Sequence, residues 1–274
     1  MKLSHAINYV ALTAILVFVS FTSVHAQLAP SPQPPVPADK ASLSLSPAVI
    51  MGRGAFGQGL TQTLTLSNNT GKDLNFDLVA QDVVVKDGKR IYVAAGELPD
   101  SIAATAVFSP KTILIKAHTA GSVDVRLTLP AKTDVRAIVA IFQGTDVLPT
   151  SSGGVGMTAS LSTLITFNLS ENVKLESETA HVTPPSASDY MLVSQWLDNM
   201  GTEPVLPEGT AAVLNAKGSL VSKAVFKPQR LLPGERQEFV AAFPEQLPSG
   251  SYRALCSFQF EGKTQTSSVD FKIP

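Results

Sequence analysis

The sequence predicts an all-β protein built of two sandwiches in tandem. Three observations support this prediction. Short stretches of alternating apolar and polar residues recur along the chain, helical periodicity hardly appears, and the order of turns and strands in the first half returns in the second. Alternation with a period of two gives a strand one apolar face and one polar face. Many short strands separated by turns are typical of β-sandwiches.

The N-terminal 26 residues have the layout of a secretory signal peptide. Lys2 precedes an apolar run over residues 9–21, and small residues surround the expected cut after Ala26. We therefore expect an exported protein, with the periplasm as its location and the cell surface or the medium as alternatives. Residues 6–24 are nearly long enough to cross a bilayer, so an uncleaved signal anchor is the one membrane association that the sequence suggests.

A proline-rich tether follows the signal peptide. Residues 27–40 read QLAPSPQPPVPADK, a composition that favours an extended and solvated segment. The remainder of the chain is long enough for two modules of ordinary size, each with its own core. We assign residues 41–170 to a first sandwich and residues 171–274 to a second.

The first half of the chain contains several strand and turn patterns in close succession. Leucines and threonines alternate over residues 60–66, and Asp87-Gly88 is typical of a tight hairpin turn. Residues 123–129 alternate between apolar and polar side chains. Residues 137–142 are apolar on both faces, as in a strand that is covered on both sides.

The second half repeats this plan. An asparagine-containing turn follows a strand at residues 67–71 and again at residues 198–201. A strand ending in proline then covers residues 122–130 in the first half and residues 237–244 in the second. Two copies of one unit predict tandem immunoglobulin-like sandwiches.

Residues 155–169 form the longest alternating stretch, with one apolar face and one face rich in hydroxyl groups. The stretch contains no charged residue and no proline, the residues that usually protect an exposed edge from pairing with other chains. This pattern indicates a strand that binds an extended partner. The alternative is an ordinary core strand, since both interpretations place the same residues on the same face. The apolar candidates for partner binding are Val155, Met157, Leu161, Ile165 and Phe167.

Composition excludes several other functions. Removal of residues 1–26 leaves 20 basic and 22 acidic side chains, a balance without the positive field that nucleic acids require. The single cysteine, Cys256, alternates with apolar neighbours and is interpreted as a core residue. His118 and His181 lie in different modules without further ligands at metal spacing. We therefore expect no enzymatic activity, no cofactor and no metal site.

The paired modules, the asparagine-containing turns, a PGE turn at residues 233–235 and an LPSGSY run ending at Tyr252 resemble periplasmic pilus-assembly chaperones. Tyr252 stands at the start of a strand, which suits a tyrosine-corner hydrogen bond at the end of a sandwich. The resemblance implies that the strand of residues 155–169 completes an incomplete pilus subunit. It also implies a basic pair that holds the carboxylate of the subunit. Arg53, just beyond the first strand segment, is the candidate arginine. The long strand contains no lysine, so Lys111 or Arg136 is the candidate for the second position.

The predicted function is that of an exported, non-enzymatic chaperone-like protein that captures a partner subunit by β-strand pairing during pilus or cell-surface assembly. The partner is a protein, and the candidate site consists of Arg53 and the apolar face of residues 155–169. The alternative is a structural or adhesive envelope protein that uses the sandwiches as spacers. Charged substitutions at Leu161 and Ile165 are expected to abolish capture while leaving the fold intact.

Overall fold

A computed structural model describes residues 42–146, 158–186 and 189–274 of the protein. The predicted signal peptide (residues 1–26), the predicted tether (residues 27–40), Val155 and Met157 lie outside these ranges. The described residues form an all-β structure, as predicted, with one short 3-10 helix at Ala103–Thr105. No helix among them is long and apolar enough to cross a membrane.

Within the described residues, ten strands form the first sandwich. They are β1 (Leu43–Ser46), β2 (Val49–Arg53), β3 (Gly59–Asn68), β4 (Leu74–Lys86), β5 (Lys89–Ala94), β6 (Val107–Ser109), β7 (Thr112–Ile115), β8 (Thr119–Thr128), β9 (Ala137–Asp146) and β10 (Thr158–Asn168). One sheet has the order β1-β3-β8-β6. The other has the order β2-β10-β9-β4-β5, and β7 also pairs with β4. The chain therefore changes sheets between β1 and β2.

Eight strands of the described part of the chain form the second sandwich. They are β11 (Leu175–Ser177), β12 (His181–Thr183), β13 (Met191–Asn199), β14 (Glu208–Asn215), β15 (Leu220–Val225), β16 (Arg236–Phe243), β17 (Gly250–Phe260) and β18 (Lys263–Ile273). In one sheet, β13 pairs with β11, β12 and β16. The other sheet has the order β15-β14-β17-β18.

Two buried asparagines organise equivalent turns in the two sandwiches. The Asn68 side-chain oxygen accepts a hydrogen bond from the Thr70 main-chain nitrogen at 3.0 Å. The Asn199 side-chain oxygen accepts one from the Gly201 nitrogen, also at 3.0 Å, while its amide donates to the Leu231 carbonyl at 3.2 Å. Since buried polar groups need partners, each amide fixes its turn by satisfying main-chain groups. The turn motifs that repeat in the sequence are thus repeated in space.

Two local predictions are also found in the structure. Asp87 and Gly88 connect β4 to β5 with φ values of 52° and 74°, the positive values that a tight hairpin turn requires. The Tyr252 hydroxyl donates to the Pro248 carbonyl at 2.7 Å, which is the tyrosine-corner bond. Both features fix the ends of strands.

Cys256 is a core residue, as predicted. Its side chain is fully buried within the second sandwich. Burial raises the pKa of the Cys256 thiol to about 11, against a smaller opposing effect of its hydrogen bond with Ser267. The thiol is therefore neutral at physiological pH, whereas nucleophilic thiols are thiolates.

Each sandwich encloses its own apolar core between its sheets. A smaller third cluster joins residues of β4 and β9 to Leu232 of the second sandwich, and it comprises Val83, Ala137, Val139 and Leu232. The outer face of β9 is therefore covered at this point by the second sandwich. This explains why residues 137–142 are apolar on both faces.

Candidate functional site: the open edge of strand β10

Strand β10 has two neighbours, but only one of them follows it along most of its length. The antiparallel register with β9 joins Thr158 to Thr145 and continues to Thr166. The parallel register with β2 begins only at Leu164 and ends at Asn168. Among the described residues, no strand pairs with residues 158–163 on the side away from β9. We call this side of residues 158–163 the open edge.

Two hydrogen bonds define which main-chain groups point to the open edge. The Leu164 nitrogen donates to the Ala48 carbonyl at 3.1 Å, on the β2 side. The Phe167 nitrogen donates to the Arg136 carbonyl at 2.9 Å, on the β9 side. Because successive residues of a strand direct their main-chain groups to opposite sides, even-numbered residues of β10 point away from β9. The residues whose N–H and C=O groups point to the open edge are Thr158, Ser160 and Ser162.

The side chains of β10 change from exposed to buried along the strand. Ser160 and Ser162 are exposed to solvent. Leu161 is half-buried and packs against the core of the first sandwich. Ile165 and Phe167 are 0% and 1% exposed. The side chains of residues 158–162 are thus exposed or half-buried, whereas that of Thr163 is fully buried and donates to the Pro47 carbonyl at 2.8 Å.

The candidates predicted from sequence therefore separate into three groups. Val155 and Met157 lie outside the described residues. Leu161 lies at the open edge. Ile165 and Phe167 lie where β2 covers the strand, with their side chains in the core. The core-strand interpretation describes residues 164–168, and the binding-edge interpretation is restricted to residues 158–163.

The candidate arginine, Arg53, does not lie at the open edge. It is the last residue of β2 rather than a residue beyond it, and it pairs with Asn168 at the end of β10 opposite the open edge. Its Nη2 atom forms an ion pair with Glu261 Oε2 at 2.7 Å, and the Arg53 side chain is 69% exposed. A partner carboxylate at this position would have to compete with Glu261.

The two alternative basic residues differ in their surroundings. Lys111 is exposed between β6 and β7. Arg136 is half-buried, and its Nε atom lies 3.3 Å from the carboxylate of Glu203. Arg53 and Arg136 therefore pair with different carboxylates of the second sandwich. The structure places both of them at the covered end of β10 and provides no basic pair at the open edge among the described residues.

Glu203, which no sequence pattern indicates, organises the connection between the sandwiches. The Glu203 side chain is fully buried. Besides contacting Arg136, its carboxylate accepts hydrogen bonds from the Leu169 nitrogen and the Ser170 hydroxyl, both at 2.8 Å. A single glutamate in a turn has no periodic signal, so only the fold reveals this role.

A cleft of about 730 Å³ begins where the open edge ends. Val49 and Leu164, the first pair of the β2–β10 ladder, line its wall on the first sandwich. Trp196 lines the opposite wall, and the Arg236 guanidinium lies 5.0 Å from its ring centroid. Across the cleft, Arg90 of β5 forms an ion pair with Glu235 at 2.8 Å.

No protein-family model matches the chain, and no curated protein sequence matches it. Among solved structures, the chain is similar to the class 5 fimbriae chaperone CfaA, with 12% identity over 85% of this chain and 100% of that one, and a TM-score of 0.41. It is similar to the Escherichia coli chaperone DraB, with 13% identity over 85% and 98% of the two chains and a TM-score of 0.40.

A third similar structure is a chain from the complex of Salmonella enterica SafA pilin with the SafB chaperone. The identity is 11% over 85% of this chain and 98% of that one, and the TM-score is 0.39. These solved structures include chaperones of the class that the sequence resembles.

Proposed function

We propose that the protein is an exported, non-enzymatic, chaperone-like binding protein that captures an extended segment of a partner protein by strand pairing at the open edge of β10. The observation that supports this proposal is the missing neighbour of residues 158–163 among the described residues. The partner is a subunit of a pilus or another surface assembly, and the site of action is the periplasm. The last two assignments depend on the predicted signal peptide and on the resemblance of the sequence.

The chemistry of the open edge suits strand addition. Strand addition draws its affinity from main-chain hydrogen bonds and its specificity from alternating side chains. Thr158, Ser160 and Ser162 offer the main-chain groups, and Leu161 offers an apolar side chain between them. Proteins usually protect such edges with lysine, proline or a bulge. Residues 158–163 contain no lysine and no proline, and their register with β9 is continuous.

Replacing Ser160 with proline tests this proposal. Proline lacks the N–H group that points to the open edge, and its ring obstructs an approaching strand. The native ladder with β9 uses the other set of main-chain groups, so the fold should be retained. We expect the affinity for the captured subunit to fall about tenfold or more, because one hydrogen bond is lost and a partner group is left unsatisfied.

The measurement is recovery of the partner from an envelope extract of the producing cell, followed by titration with the recovered protein. Ser160→Val is the matched control, because valine retains the N–H group and favours strands. Circular dichroism should be the same for both variants and the unmodified chain. Equal binding by the proline variant would refute pairing at this edge. A folded chain that recovers no subunit would favour the structural envelope role instead.

A further inference from the structure

The side chain of Arg230, in the segment before β16, reaches strand β2 of the first sandwich and contacts a sulfur atom there. Its Nη2 atom donates to the Met51 Sδ atom. The main chain around Arg230 is anchored in the second sandwich, because Leu231 and Val205 exchange hydrogen bonds at 2.8 and 2.9 Å. Met51 lies in β2 and pairs with Thr166 of β10. The contact therefore joins the two sandwiches beside the covered end of β10.

This contact leaves the Arg230 guanidinium poorly satisfied. The residue is only 9% exposed, and its Nε and Nη1 atoms have no hydrogen-bond partner among the described residues. The remaining donor, Nη2, has a thioether as its partner, and a thioether is a weak acceptor. Buried charged donors without a strong acceptor are costly. A stronger acceptor at Nη2 should therefore stabilise the folded chain.

The neighbouring carboxylates do not supply this acceptor. Glu235 receives two hydrogen bonds from Arg90, at 2.8 and 3.0 Å. Glu261 is engaged by another arginine at 2.7 Å. Burial lowers the pKa of the Arg230 guanidinium, and the nearby charge of Glu261 opposes this effect only in part. The atom that chemistry can convert into a strong acceptor is the sulfur that Nη2 already contacts.

We propose that Met51 is an oxidation site whose sulfoxide strengthens the contact between the two sandwiches. Met51 is 44% exposed, so a dissolved oxidant can reach it. Hydrogen peroxide transfers one oxygen atom to a lone pair of the sulfur, so that an S–O bond forms, the O–O bond breaks and water leaves. The sulfur is oxidised by two electrons and the peroxide is reduced by two. Methionine sulfoxide reductases restore the thioether, so the modification is reversible.

The sulfoxide oxygen lies within reach of the guanidinium. It is bonded to the sulfur that contacts Nη2, and the three rotatable bonds of methionine allow it to turn toward the donor. Oxidation of methionine often disrupts packing, because it makes an apolar side chain polar. Here the new polar group meets a buried donor, so we expect stabilisation instead. This inference goes beyond the proposed function and does not involve the open edge.

Oxidation of the full chain with dilute hydrogen peroxide tests the proposal. Peptide mass spectrometry identifies the oxidised methionines, and circular dichroism measures the thermal midpoint. Oxidation should raise the midpoint by about 3–6 °C, as expected for one hydrogen bond to a charged group in a chain of this size. Met51→Leu retains an apolar side chain of similar size but has no sulfur. Peroxide should therefore not raise the midpoint of this variant.

Two further variants make the outcome specific. Met200 is 56% exposed, and its sulfur accepts no hydrogen bond from the described residues. Met200→Leu should therefore respond to peroxide like the unmodified chain. Met51→Gln places an amide oxygen, which is a strong acceptor, near Nη2 without any oxidation. Its midpoint should be higher than that of untreated Met51→Leu.

Three results would overturn the proposal. The first is a Met51 sulfoxide, identified by mass, that gives no higher midpoint than peroxide-treated Met51→Leu. The second is a Met51 that resists peroxide as fully as Met191, which is 1% exposed. The third is an equal midpoint for Met51→Gln and Met51→Leu. None of these measurements uses the captured subunit, so they are independent of the test of strand pairing.

Discussion

Ile165→Asp is expected to prevent the first sandwich from folding. The Ile165 side chain is 0% exposed and belongs to the core of that sandwich. Truncating such a side chain costs about 2–5 kcal/mol, and burying an unpaired carboxylate adds a further penalty. The sum approaches the whole stability of a typical domain, which is about 5–15 kcal/mol. The expectation that a charge at Ile165 leaves the fold intact therefore does not hold.

The matched control for Ile165→Asp is Ser162→Asp, three residues earlier on the same strand. The Ser162 side chain is exposed, and surface substitutions of this kind usually change the free energy of unfolding by about 0.5 kcal/mol or less. Urea unfolding followed by circular dichroism measures both variants. A cooperative unfolding transition of Ile165→Asp near that of the unmodified chain would show that this half of β10 is not core.

Glu203→Ala should have the second largest effect, a loss of about 3–5 kcal/mol in the free energy of unfolding. This range is typical when one partner of a buried ion pair is removed and the other charge remains. Here the Arg136 guanidinium remains, and its side chain is only 12% exposed. The Leu169 nitrogen and the Ser170 hydroxyl also lose their acceptor. The connection between β10 and β11 should loosen as a result.

Glu176→Ala is the control for this prediction. Glu176 also forms an ion pair, with Lys174 at 2.7 Å, but both side chains are more than half exposed. Exposed pairs contribute about 0–1 kcal/mol. Urea unfolding should therefore separate the two variants clearly. Similar losses for Glu203→Ala and Glu176→Ala would contradict the assigned role of Glu203.

Much of the fold follows from local patterns. The period-two alternation of residues 123–129 predicts β8, and Asp87-Gly88 predicts the β4–β5 hairpin, because strand faces and tight turns depend on neighbouring residues. The repeated turns at Asn68 and Asn199 also appear in the sequence. Their amides satisfy main-chain groups within four residues, in addition to more distant ones.

The candidate site depends on contacts between distant segments. The open edge ends at Leu164 because β2, more than 100 residues earlier in the chain, pairs from that point onward. Alternation alone assigns the same face to Leu161 and Ile165, and it cannot distinguish an edge from a core position. The partners of Arg53 and Arg136, Glu261 and Glu203, come from the other sandwich. Ion pairs between sandwiches have no periodic signal in a single sequence.

Hydrogen exchange of individual β10 amides, measured by nuclear magnetic resonance, tests the central proposal most directly. In the free chain, the amides of Ser160 and Ser162 should exchange fast, because they point to the open edge. Those of Leu161 and Thr163 should exchange slowly, because they point to β9. Binding of the captured subunit should slow exchange at Ser160 and Ser162. Slow exchange at both serines in the free chain, or no change on binding, would contradict strand capture at this edge.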